Sequence, residues 1–165
     1  MIKSLFQKVM VAYNGSKSSL QAVLYAILMA KLYKCQVKVV YVVDTETIKK
    51  LLLTKFMVRE EGDSLTVGLE SDGKRNLDYV TNLAKSKGIK IETELRKGSV
   101  WAEVISAADD YKANLILLGG HGLEKQRSTL QRDVISAQDS EIIGSAHCSV
   151  MVVRQEYLEQ LFKLV

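Results

Sequence analysis

The 165-residue chain contains no proline. Average usage of about 5% would supply roughly eight, so its helices must stop on glycine or polar residues. Cysteine is nearly as scarce. Cys35 and Cys148 lie far apart and outside any C-x-x-C pair, which argues against a disulfide scaffold or a zinc site and for a reducing cytoplasm. No apolar run approaches the ~18 residues of a membrane span. The first one, Val9 to Tyr13, has the length of a strand and is too short for the apolar part of a signal peptide. No membrane partner is therefore expected. Charge of one sign is also modest. The 23 Lys and Arg exceed the 19 Asp and Glu by four, and they are spread along the chain without the basic stripe of a nucleic-acid surface. No nucleic-acid partner is expected either.

The composition that remains, 47% hydrophobic and 25% charged, is that of an ordinary globular domain, and the length suits one such domain. Five short runs have β character: Lys8–Tyr13, Gln36–Val43, Lys90–Leu95, Leu115–Leu118 and Ser149–Val153. The second, fourth and fifth are almost continuously apolar, as in central strands covered on both faces. The third alternates Ile89, Ile91, Thr93 and Leu95 with charges and reads as an edge. Helical stripes separate them: Leu20 to Leu32, Leu77 to Ala84 with Gly88 as the stop, Trp101 to Tyr111, and a short one at Ile142, Ile143 and Ala146. Strands alternating with helices predict a single α/β domain with a doubly wound parallel sheet. That domain covers residues 1–154. Residues 155–165 form a tail patterned as a short helix, with Tyr157, Leu158, Leu161 and Phe162 on one side. Residues 44–76, interrupted by Gly62, Gly68 and Gly73, are expected to be an irregular or mobile connection.

Two loops sit where ligands bind in such sheets, beyond the carboxyl ends of the strands. Asn14 to Ser19 is small and polar and leads into a helix, so its N–H groups can hold an anion, or its serine can simply cap the helix. It lacks the glycine spacing of a P-loop. The second loop, Leu118-Gly-Gly-His-Gly-Leu123, packs three glycines into four residues, which permits close backbone approach by a ligand or marks a tight exit turn. No catalytic constellation is evident around the only histidines, His121 and His147.

Together these segments resemble the universal stress protein family along nearly the whole chain. Val9-Met-Val-Ala-Tyr-Asn-Gly-Ser16 is similar to its opening strand and loop, and Val39-Val-Tyr-Val-Val-Asp44 to its second strand. Leu95-Arg-Lys-Gly98 is similar to its entry to the third helix. Asn114-Leu-Ile-Leu-Leu-Gly-Gly-His-Gly122 and Ala146-His-Cys-Ser-Val-Met-Val-Val153 are similar to its two most specific segments. The resemblance implies a five-stranded sheet of order 3-2-1-4-5, the adenine nucleotide alpha hydrolase-like fold. It also implies a homodimer through strand five, Val150, Met151, Val152 and Val153. A stress-response or regulatory module without catalysis is implied, which in some members binds ATP or AMP, with Mg²⁺ for the triphosphate. Binders carry G-x2-G-x9-G-[S/T]. Gly119 and Gly122 match its first half. Arg132-Asp133 stands nine residues on, and alignment from Ala146 puts Ser136-Ala137 at the Gly-Ser place with four extra residues. The implied nucleotide-binding positions are Ala12, Asn14, Val42, Gly119, Gly122, Ser136 and Ala137. Ala12 and Val42 would contribute backbone, and Asn14 replaces the family's aspartate. Lys125, Arg127 and Arg132 lie in the lengthened loop. A nucleotide-free interaction protein and a weak ATP hydrolase are the alternatives.

Overall fold

The computed structural model describes residues 3–120 and 137–165. Five strands, β1 (Lys8–Tyr13), β2 (Gln36–Asp44), β3 (Glu92–Gly98), β4 (Leu115–Gly119) and β5 (Ser149–Val153), form one sheet of order β3-β2-β1-β4-β5. Every pairing is parallel. Six helices accompany them: α1 (Lys17–Tyr33), α2 (Thr45–Leu53), α3 (Arg59–Ser86), α4 (Val100–Tyr111), α5 (Ala137–Ser145) and α6 (Leu158–Leu164).

Alternation along the strands divides the interior in two. Val9, Val11, Val37, Val39, Leu115 and Leu117 face α1, α3 and α6. Met10, Val40, Ile116 and Leu118 face α4 and α5. Both faces are thus covered, which is why β1 and β4 are apolar at almost every position. α6 puts Leu158 and Phe162 into the first core, so the tail is a helix as its pattern predicts. Its Tyr157 and Leu161, however, are exposed. Ile143 of α5 is also exposed, and Ile142 alone carries that helix's contact with the core.

Residues 44–76 depart from the expected irregular connection. Asp44 caps α2, accepting from the Thr47 N–H at 3.0 Å and from its hydroxyl at 2.6 Å. After a short turn the chain enters α3, which is 28 residues long. The glycines that read as interruptions are packing contacts. A Cβ on Gly62 would stand 3.2 Å from the Leu52 side chain, and one on Gly73 would stand 2.5 Å from Leu95 and 2.9 Å from the Tyr41 ring. Glycine there lets α3 lie close against α2, β2 and β3.

Helix ends compensate for the missing proline. α3 ends as predicted at Gly88, which has φ 72°. The Gly88 N–H donates to the Lys85 carbonyl and the Ile89 N–H to that of Ala84, a Schellman closure. α1 and α4 end instead on lysines in the left-handed region, Lys34 (φ 60°) and Lys112 (φ 58°). Among the described residues no helix is long and apolar enough to cross a membrane.

Candidate functional site

A cavity of about 370 Å³ opens where the strand order reverses, beyond the carboxyl ends of β1, β2 and β4. Its floor is apolar and comes from the second core: Val40, Val42, Val104, Leu118 and Ile142. Its rim is polar: Asn14, Ser16, Ser18 and Ser19 on one side, with Asp44, Gln138 and Asp139 around it. The first rim segment is built tightly. Gly15 takes φ 83°, a conformation most residues avoid, and packs against the Asn76 amide of α3. That turn lets Asn14 Oδ1 accept from the Ser16 N–H at 3.0 Å and from the Ser19 hydroxyl at 2.8 Å. Ser16 caps α1 by accepting from the Ser19 N–H at 3.2 Å. The buried Ser19 thus ties both ends of the loop together.

Tyr13 ends β1 beneath this loop, and its hydroxyl donates to Asn76 Oδ1 at 3.3 Å. Burial, then the neighbouring Tyr79 and Tyr41, push its pKa above the ordinary tyrosine value, so it acts as a neutral donor. Across the cavity, Gln138 Oε1 of α5 accepts from the Trp101 N–H at 3.0 Å. Ser99 stands at the cap position of α4 but makes no side-chain bond. Gln138 therefore supplies the cap from another helix, holding the first turns of α4 and α5 together.

Four of the seven implied positions meet at the cavity: Ala12, Asn14, Val42 and Gly119. Ala137 opens α5 but is exposed and does not line it. Gly122 and Ser136 lie outside the described residues, as do His121, Lys125, Arg127 and Arg132. The glycine-rich turn has a second purpose. A Cβ on Gly119 would stand 2.4 Å from the Ser18 carbonyl, and one on Gly120 would stand 2.7 Å from the Val153 carbonyl oxygen. Both residues are required by the chain's own backbone before any ligand arrives. Sequence reasoning named the Asn14–Ser19 loop but missed Gln138 and Asp44 as lining residues and Asn76 as the side chain packed against that loop. Only Asp44 carried a signal, by standing at the end of a matched segment.

The cavity offers an apolar floor, hydroxyl, amide and carboxylate groups at the edge, and no lysine or arginine lining it among the described residues. No histidine lines it among those residues, and none of them form a group of three or more His, Cys, Asp or Glu able to hold a metal ion. His147 is exposed at the far side of the α4–α5 layer, with Nδ1 3.0 Å from Asp109.

Known proteins share this frame. The chain is 29% identical over 153 residues to universal stress protein MJ0531 of Methanocaldococcus jannaschii, covering 93% of this chain and 85% of that one. Among solved structures, a universal stress protein family member from Burkholderia pseudomallei superposes with a TM-score of 0.71 at 21% identity, over 92% of this chain and 98% of that one. An Arabidopsis thaliana family protein solved with AMP bound gives 0.61 at 15% identity, over 93% and 94%. A universal stress protein in complex with cAMP gives 0.57 at 20%, over 91% and 98%. The family model of the universal stress proteins matches residues 5–154, and the chain belongs to that family.

Proposed function

We propose that this stress-response module is a non-catalytic sensor whose cleft binds an adenine nucleotide, AMP in preference to ATP. The observation that carries the reading is the cavity itself, an apolar slot with a polar edge at the sheet's switch point, of a size ordinary for a small-molecule site. The relatives solved with AMP and with cAMP support it. In this reading the base lies over Val40, Val42 and Leu118, and the ribose meets the Asn14–Ser19 loop. The preference for AMP follows from charge. Asp44 stands on the rim of the cavity, so each added phosphate brought toward it raises the electrostatic cost unless Mg²⁺ accompanies it. The non-catalytic part of the reading is supported by the rim hydroxyls, which bond to one another and to Asn14.

Calorimetric titration of ligand-free protein with AMP and ATP, with and without Mg²⁺, tests it. Heat and a thermal shift are expected for AMP, with weaker binding of ATP that improves with Mg²⁺. No heat at millimolar nucleotide would remove the proposal and leave a pure interaction protein. Steady phosphate release from ATP would remove the non-catalytic part. A specific observation favours that interaction-protein alternative: Asn14 Oδ1, Gly119 and Gln138 are already engaged within the protein. We also propose a homodimer through β5, whose edge of the sheet is uncharged.

A further inference from the structure

Lysines that look scattered along the sequence are gathered by topology. In an all-parallel sheet the strands start at one end, and crossover helices run back to it. The end opposite the cleft therefore collects the C-termini of α1, α3 and α4. α6 joins them because it runs alongside α1 in the same direction. Gln21 meets Glu159 at 3.1 Å near the start of both helices, and Lys31 Nζ meets the Val165 carbonyl at 3.1 Å near their ends. Lysines cap all three crossover helices there, Lys34, Lys87 and Lys112. Lys85 and Lys163 lie in last turns. Among the described residues none of these five is ion-paired with an acid. The acids nearby are Asp109 and Asp110, already held by His147 and Arg96, and Glu92 at the start of β3.

Helix dipoles account for cations in last turns. They do not account for lysine at the left-handed positions 34 and 112, where glycine is less strained. Nor do they account for the apolar side chains beside them. Leu32 and Tyr33, at the end of α1, are 61% and 57% exposed, and Leu5 and Leu164 are 83% and 84% exposed. The Phe6 ring lies 6.1 Å from that of Tyr33, which brings the Leu5 segment against the end of α1. The Lys31–Val165 contact brings Leu164 to the same end.

We propose that this end face docks on an anionic lipid bilayer, with the lysines among headgroup phosphates and Leu5, Leu32, Tyr33 and Leu164 in the interfacial layer. Charge complementarity selects this occupant. A second copy placed face to face would set lysines against lysines. A nucleic-acid surface would be expected to use arginine, yet no arginine caps these helices or lies in their last turns, and protruding leucines have nothing to meet on a phosphate backbone. The sequence expectation of no membrane partner rested on the lack of a spanning run, which does not bear on surface association. In the proposed orientation the cleft faces away from the lipid.

Co-sedimentation of the full chain with phosphatidylcholine vesicles, with and without phosphatidylglycerol, is the test. Partition onto the anionic vesicles alone, weakened by salt, is expected. Lys34→Gln and Lys112→Gln should each lower it about fivefold, and Leu5→Ser with Leu164→Ser should lower it while leaving the charge unchanged. These positions are exposed, and circular dichroism confirms folding before each measurement. Failure to bind anionic vesicles would overturn the proposal. Loss with the lysine variants but not with the leucine variants, together with binding to duplex DNA, would overturn it in favour of a polyanion surface. The cleft does not enter this test, so its outcome is independent of the nucleotide reading.

Discussion

At the scale of single residues, Tyr111 is the least satisfied group in the core. Its ring closes the α4 face under the ammonium groups of Lys8 and Lys38, 4.9 and 5.4 Å from its centroid, but its buried hydroxyl has no hydrogen-bond partner. Burial first, then Glu92 and Cys35, push its pKa up to about 12. A raised value means that the folded state resists ionisation. Its contribution to stability is full below pH 10 and is lost as pH rises toward 12. Tyr111→Phe is expected to be neutral or stabilising by up to about 1 kcal/mol at pH 7, and to gain roughly another 1 kcal/mol over wild type near pH 11. Urea unfolding at the two pH values measures both, and a destabilised variant at pH 7 would mean that the hydroxyl is satisfied. Glu94 shows the opposite balance. Burial alone would raise its carboxyl, yet Lys38 and Arg96 hold it below its ordinary value. At this scale the sequence spoke unevenly. Ala12, Asn14 and Val42 were reached through the resemblance of their segments to the family's, which the apolar runs of β1 and β2 made recognisable. Gly119 was legible as a special position but not for the reason that applies, its contact with the Ser18 backbone. Gln138 was not legible at all, since its role depends on how two helices separated by 25 residues meet.

At the scale of elements, the glycines of α3 give the sharpest contrast. Gly68 is helical, exposed and faces open space, and Gly73 lies against Leu95 and Tyr41. Gly68→Ala should stabilise by about 0.5–1 kcal/mol, through the lost freedom of the unfolded chain. Gly73→Ala should destabilise by roughly 1–3 kcal/mol through overpacking. Thermal melts should move in opposite directions, and a shared direction would mean that burial does not separate the two sites. Nothing in the structure explains why glycine stands at 68. The same contrast explains the misreading of residues 44–76. Gly62 and Gly73 break a hydrophobic pattern in sequence but mark close approach in space, and one-dimensional periodicity does not distinguish the two. The strands were far more legible, because burial on both faces leaves a nearly unbroken apolar run. β3 was recognised as an edge, though it lies two to three residues later than its alternation suggested.

At the scale of the whole molecule, the two edges of the sheet differ. β3 carries Glu94, Arg96 and Lys97, tied to Lys38, Asp110 and Glu70, and such charges discourage further pairing. β5 is Ser-Val-Met-Val-Val, uncharged and, among the described residues, without a partner strand on its outer side. We propose that a second copy pairs there. Met151→Lys should convert a dimer to a monomer in sedimentation, and an unchanged dimer would place the interface elsewhere. The order of the strands also bears on synthesis. β1 lies at the centre of the sheet, between β2 and β4, and Lys8 and Asn114, which bond where β1 meets the start of β4, lie 106 residues apart. At roughly 5–20 residues per second, a growing chain on the ribosome therefore holds its central strand open on one side for about 5–20 s. Once β4 emerges, the absence of proline means that no slow peptide-bond isomerisation delays closure, so the interval of exposure is set by translation alone.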